Sequence, residues 1–226
     1  MSALLETLEI ETSPSPRAAV IWMHGLGADG HDFAGIEREV TPPGAAVRYV
    51  YPHAPMMPVT INNGYVMRAW YDVLGVGGER REDEAGVRAS QARIEQLIAR
   101  EKSRGIPARA IVLAGFSQGG AMALQTGLRH PERLAGVMAL SCFLPVARTV
   151  ATEASGANRD VPIFMAHGIA DDLIPVARAR TARDTLTGLG YEVEWHEYPM
   201  AHSLCPQEIE EIAAWLQRIL ERKETP

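Results

Sequence analysis

The segment AIVLAGFSQGGAMAL, residues 110–124, constrains the fold more than any other stretch of this chain. Ala110 to Ala114 is a short apolar run, Gly115-Phe116-Ser117-Gln118-Gly119 follows, and a small-residue, helix-forming run begins at once. The pattern is a strand that passes into a helix through a tight turn with one serine between glycines. A serine hydroxyl is a poor nucleophile at neutral pH and needs an adjacent base. The spacing G-x-S-x-G sets the serine on a strained turn with its Oγ outward, and flanking glycines let neighbouring backbone pass close by. The helix that starts there turns its dipole and free N–H groups toward the same point. A glycine-rich turn with an incidental serine would read the same way, so the rest of the chain must decide.

That rest alternates strand and helix signals. Short apolar runs bounded by turn residues occur at Ala18–Met23, Val47–Tyr51, Ala110–Ala114, Leu134–Leu140 and Val161–Ala166. Each suits a strand buried on both faces of a parallel sheet. Tyr191–Tyr198 alternates partially, and Leu4–Ile10 suits an edge strand. Gly86–Arg104 carries Val87, Ile94, Leu97 and Ile98 on one helical face, and Pro206–Arg222 carries Ile209, Ile212, Leu216 and Ile219. The alternation predicts a doubly wound α/β fold in one domain spanning 1–226. No repeat, linker or low-complexity tract divides the 226 residues.

Composition removes several classes of function. The net charge is −6 and no Lys/Arg block stands out, so a nucleic-acid partner is not expected. No apolar stretch approaches about 18 residues, so no membrane span is expected. The start, MSALLETLEIE, lacks the basic residues and apolar run of a signal peptide, and a cytoplasmic location is the expectation. Two cysteines, Cys142 and Cys205, are too few for a disulfide framework or a four-cysteine zinc site and read as reduced thiols.

In doubly wound folds ligands bind beyond the carboxyl ends of the strands. Those ends present HGLGADG (24–30), PHAP (52–55), the Ser117 turn, HGIADDLIP (167–175) and PMAHSL (199–204). A serine nucleophile in this architecture is followed in the chain by Asp/Glu and then His. Of seven histidines only His196 and His202 lie beyond the fourth of these ends. His196 sits within a strand, whereas His202 is in a loop able to reach back over the sheet, which favours His202 as the base. The carboxylate that accepts the imidazole N–H is either Asp171 or Asp172, and spacing does not choose between them. Donors for a developing oxyanion are the backbone N–H of Gln118, next to the serine, and that of Leu26 in the HGLG loop. His24 precedes the serine and reads as structural.

Taken together, WMHGLGADG, GYVMRAWYDVLG, EDEAG, GIPARAIVLAGFSQGGAMAL, LAGVMALSCFLP, HGIADDLIP and YPMAHSL span most of the chain. In this order and spacing they resemble the carboxylesterase/phospholipase family of small α/β-hydrolases, which includes bacterial carboxylesterases and acyl-protein thioesterases. The resemblance implies an α/β-hydrolase fold with a mostly parallel sheet flanked by helices. It implies Ser117 as nucleophile, His202 as base, Asp171 as acid because the family's acid lies four residues after the motif histidine, and Leu26 and Gln118 as oxyanion donors. Trp70 and Leu74 correspond to a loop bordering the acyl groove, and Gly77 and Gly78 would give that loop a mobile tip.

The function implied is hydrolysis of small-molecule carboxylic esters, short to medium in chain, through an acyl-enzyme and with no metal or cofactor. Acyl-protein thioesterase or lysophospholipase activity uses the same residues. The segment MRAWYDVLG has a bacterial look that leans toward small soluble esters. A non-catalytic binding protein would have lost a member of the set, and none is lost here. A homodimer is implied only by the habits of the family.

Overall fold

The computed structural model describes residues 4–75 and 82–221. The chain runs through β1 (Thr7–Glu11), β2 (Ala18–Met23), a short helix α1 (Glu37–Val40), β3 (Val47–Pro52), β4 (Met56–Val59) and β5 (Tyr65–Arg68). It continues through α2 (Glu84–Ser103), β6 (Ile111–Phe116), α3 (Gln118–Arg129), β7 (Gly136–Leu140), α4 (Val150–Glu153), β8 (Ile163–Gly168), α5 (Val176–Gly188), β9 (Val193–Tyr198) and α6 (Pro206–Leu220). Seven strands form one sheet in the order β1-β3-β2-β6-β7-β8-β9. Only β1 runs antiparallel, against β3.

The expected two-sided burial of the strands is visible residue by residue. In β2, Ala19, Ile21 and Met23 enter one core with residues of α2, α3 and α5, while Val20 and Trp22 enter a second core with Val40, Ile212, Trp215 and Leu216. A strand whose side chains alternate between two apolar layers must be apolar throughout, and that is why these runs show no polar alternation. The strand order reverses at β2, which pairs with β3 on one side and β6 on the other. Clefts form where order reverses in this way. The carboxyl ends of β2 and β6 carry the HGLG loop and Ser117.

Several elements were not foreseen, the short helices α1 and α4 among them. The hairpin β4–β5 forms a separate two-stranded sheet. Its signal is Asn63-Gly64, both at positive φ (54° and 75°), which close a longer loop, a 3-10 turn over Thr60–Asn62, between Val59 and its partner Tyr65. Helix α5 is rich in Ala, Arg and Thr and buries only Ala179, Ala182 and Leu186, a stripe too thin to read as periodicity.

The first turn of α6 holds a fully buried carboxyl, Glu208. Burial pushes its pKa up to about 8, against a backbone hydrogen bond at Cys205 that pulls it down. An unfolded glutamate titrates near 4.5. Between these values the unfolded chain has released a proton that the folded chain still holds, so stability falls as pH rises through the window and is lowest above it. Glu208→Gln is therefore expected to raise Tm by a few degrees at pH 8 and to leave it unchanged near pH 4. Thermal unfolding across that pH range checks this; an equal effect at both ends would show that the carboxyl's titration is not the cause.

Candidate active site

Ser117 stands between β6 and α3 with φ 56° and ψ −121°. Such a backbone costs about 1–3 kcal/mol in a non-glycine residue and persists only where the surroundings enforce it. The enforcement is close packing. A Cβ on Gly115 would fall 2.2 Å from the backbone carbon of Gly119, and a Cβ on Gly119 would fall 2.1 Å from the carbonyl oxygen of Met23. The turn is thus pressed against itself and against the end of β2. Gly119→Ala cannot be relieved by a rotamer change, because the atoms it meets are backbone. It is expected to destabilise the fold by roughly 3 kcal/mol or more, read as a lower urea midpoint with an unchanged slope.

His202 lies in the β9–α6 loop with its ring against Phe116, the residue before Ser117, at 4.7 Å between centroids. Its Nδ1 is 2.6 Å from Asp171 Oδ2, and the Asp171 side chain is fully buried. Asp171 Oδ1 accepts the N–H groups of Leu173 (3.0 Å) and Ile174 (2.8 Å). The segment after β8 is stitched to the His202 loop by Ile169 N–H to Tyr198 O at 2.9 Å and Ala170 N–H to Met200 O at 3.1 Å. Asp172 is exposed on the rim of the neighbouring cavity. The structure therefore pairs Asp171, and not its neighbour, with the histidine. His196 is held elsewhere, between Glu194 and Glu211 and stacked on Phe164.

Two backbone donors face this region. Gln118 opens α3, so its N–H has no intrahelical acceptor. In the HGLG loop, Gly27 N–H bonds Arg68 O at 2.9 Å and Ala28 N–H bonds Gly25 O at 3.3 Å, while Leu26 N–H has no partner among the described residues. His24 holds this loop from below. Its Nε2 accepts Ala54 N–H at 3.0 Å, which puts the ring proton on Nδ1, where it is donated to Gly25 O at 2.7 Å. Burial holds its pKa below the usual histidine range, consistent with a neutral structural ring.

A cavity of about 400 Å³ opens on Leu26, Ser117 and Gln118. Ile61, Val73, Leu74, Val87, Phe143 and Leu173 give it an apolar wall. A larger depression of about 740 Å³ lies at the opposite end of the sheet, against Ala18, Val47 and Ala110, away from Ser117.

Leu74 thus lines the cavity, as the sequence suggested, and Gly77 and Gly78 lie outside the described residues. Trp70 corrects its expectation as a groove residue. It is 1% exposed and off the cavity wall, with its indole N–H donated to His24 O at 2.9 Å. A side chain that large finds more contact in the core beneath the loop than on its surface.

The sequence reading also missed the Gln118 side chain. Its Oε1 accepts Trp70 N–H at 3.0 Å and its Nε2 donates to Tyr71 O at 2.9 Å. One residue therefore supplies a backbone N–H without an intrahelical acceptor beside the serine and clamps the segment after β5 that leads into the cavity wall.

Asp29, His31 and His53 place potential ligand atoms within 4.8 Å of one another. They fit a metal poorly. His53 Nδ1 already accepts Gly30 N–H at 3.1 Å, so its ring proton sits on Nε2 and no lone pair is left for a cation.

The parallel sheet, the serine elbow at the strand-order reversal and the buried Asp–His pair beyond it define an α/β-hydrolase fold. The chain belongs to the phospholipase/carboxylesterase family, whose model matches residues 6–220, and it is accordingly a hydrolase. It is 39% identical over 219 residues to acyl-protein thioesterase 1 of Gibberella zeae, covering 91% of this chain and 92% of that protein. It is 41% identical over 209 residues to acyl-protein thioesterase 1 of Neurospora crassa, covering 88% and 85%. Among solved structures, Arabidopsis thaliana SOBER1 superposes with a TM-score of 0.86 at 29% identity, over 91% of this chain and 100% of that one. Zea mays acyl-protein thioesterase 2 gives 0.83 at 27%, over 95% and 99%. These curated relatives are fungal and give no support to the bacterial look of MRAWYDVLG. No helix among the described residues is long and apolar enough to cross a membrane.

Proposed function

We propose that this protein cleaves acyl esters and thioesters through an acyl-enzyme on Ser117. The observation that carries this reading is the apolar cavity that opens directly on the serine elbow. Ser117 Oγ attacks the carbonyl carbon while His202 takes its proton. The oxygen that becomes negative is held by the N–H groups of Leu26 and Gln118, which have no other partner to give up among the described residues. Asp171 accepts Nδ1–H of His202 and stabilises the imidazolium as it forms. His202 then protonates the departing alcohol or thiol, leaving the acyl group on Ser117. Water attacks the acyl carbon as His202 accepts its proton, and His202 returns that proton to Ser117 Oγ as the acyl–oxygen bond breaks and the acid is released.

The acyl chain lies along Val73, Leu74, Val87 and Phe143. A cavity of this size and apolarity gains binding from each methylene buried, about 0.8 kcal/mol apiece. That favours medium to long acyl groups over acetate, and the similarity to acyl-protein thioesterases supports the same class.

Hydrolysis of p-nitrophenyl esters from acetate to palmitate, together with an S-acylated peptide, tests this. We expect kcat/KM to rise with chain length past butyrate and the peptide to be deacylated. A maximum at acetate with an inert peptide would make the protein an esterase of small soluble esters instead.

A further inference from the structure

We propose that His167 is a positioning residue: its Nε2–H fastens the turn that carries Asp171 and backs the oxygen that Asp171 presents to His202. This rests on the reading of Asp171 and His202 as the acid and base of the site.

His167 is the next-to-last residue of β8 and is fully buried. Its Nε2 lies 2.7 Å from Ile174 O and 3.2 Å from Asp171 Oδ2. A carbonyl oxygen only accepts, so the ring proton is on Nε2. Ile174 in turn donates its own N–H to Asp171 Oδ1 at 2.8 Å. The imidazole, the turn and the carboxylate thus form a closed ring of donors and acceptors within one buried loop. Asp171 Oδ2 is faced by two histidines, His202 at 2.6 Å and His167 at 3.2 Å.

The two rings differ in what they can do with a proton. His167 Nδ1 is buried with no hydrogen-bond partner among the described residues, so a second proton there would be a bare donor in the core. Burial also holds the His167 pKa below the usual histidine range. The ring is therefore a fixed neutral donor, whereas His202 is partly exposed at the elbow. If His167 is removed, Ile174 O loses its donor and Oδ2 loses the ring nitrogen that lies 3.2 Å from it. The turn that supplies the Ile174 N–H to Asp171 Oδ1 is then loosened, and a displacement of about 1 Å at a reacting pair is worth about 100-fold in rate.

The test compares His167→Gln, which keeps an N–H close to the Nε2 position, with His167→Met and His167→Asn, which do not. The first readout is the far-downfield proton resonance of His202 Nδ1–H in the wild type, assigned by its loss in His202→Gln. We expect that resonance to move or vanish in the Met and Asn variants and to persist in the Gln variant. In ester hydrolysis we expect kcat to fall about 30- to 100-fold in Met and Asn with KM within about twofold, and most turnover to return in Gln. A resonance unchanged in folded Met or Asn variants overturns the proposal. So does equal impairment of all three variants in step with Tm, which would mark a purely structural role. If the resonance responds as expected but the wild type cleaves no acyl ester or thioester, the positioning role stands and the proposed function falls.

Discussion

Ser117→Ala is expected to lower kcat on any substrate of this enzyme by about a million-fold while leaving Tm near the wild type. Removing the nucleophile of a serine hydrolase costs as much as removing its whole catalytic set, because the groups act as a unit. What remains is the modest acceleration from the oxyanion donors and binding, about 1,000- to 10,000-fold over water. In the proposed mechanism those donors are backbone N–H groups of Leu26 and Gln118, which the substitution does not touch. The side chain change also leaves the elbow's packing intact, because the close approaches are made by Gly115 and Gly119. Single-turnover kinetics and labelling by a fluorophosphonate check the result. A variant that keeps more than a hundredth of wild-type turnover would place the chemistry on another residue.

The second large effect separates two neighbours. Asp171→Asn is expected to cost about 10,000-fold in kcat, because an amide NH₂ facing His202 Nδ1 enforces the wrong imidazole tautomer. The Leu173 and Ile174 N–H groups need an acceptor, so they hold the amide oxygen at the Oδ1 position and leave the NH₂ facing His202. Asp172→Asn is expected to change kcat by less than about threefold, since that carboxylate is exposed on the cavity rim. Parallel steady-state assays of the two variants decide the matter, and a reversed order would move the acid by one residue.

How far the chain could be read before its structure follows from the range of each interaction. The elbow's signal is local: strand, glycines, serine and helix are consecutive in the chain, although the end of β2 also presses on the turn. The buried strands announce themselves because both faces are apolar, and α6 announces itself by its periodic stripe. Trp70 was misread because an aromatic in a groove and an aromatic beneath a loop have the same local sequence. The role of Gln118 was half-read, since its backbone follows from position next to the serine but its side chain reaches Trp70 and Tyr71, 48 and 47 residues away. His167 was seen only as the marker of a motif, although its ring faces the carboxylate four residues on.

Sequence alone therefore determined the layered α/β fold, the strand-to-helix turn that exposes Ser117, and the chain order of serine, aspartate and histidine. These depend on short-range backbone preference and on the period of apolar residues. Spacing left Asp171 and Asp172 open and only the family resemblance named Asp171; the tertiary structure supplied the physical difference, burying Asp171 against His202, and it decided that Trp70 leaves the cavity wall and that the buried His167 ring faces Asp171. Burial and hydrogen-bond partnership are set by elements distant in the chain, and adjacent residues of the same type carry no local mark of which one will lose its water.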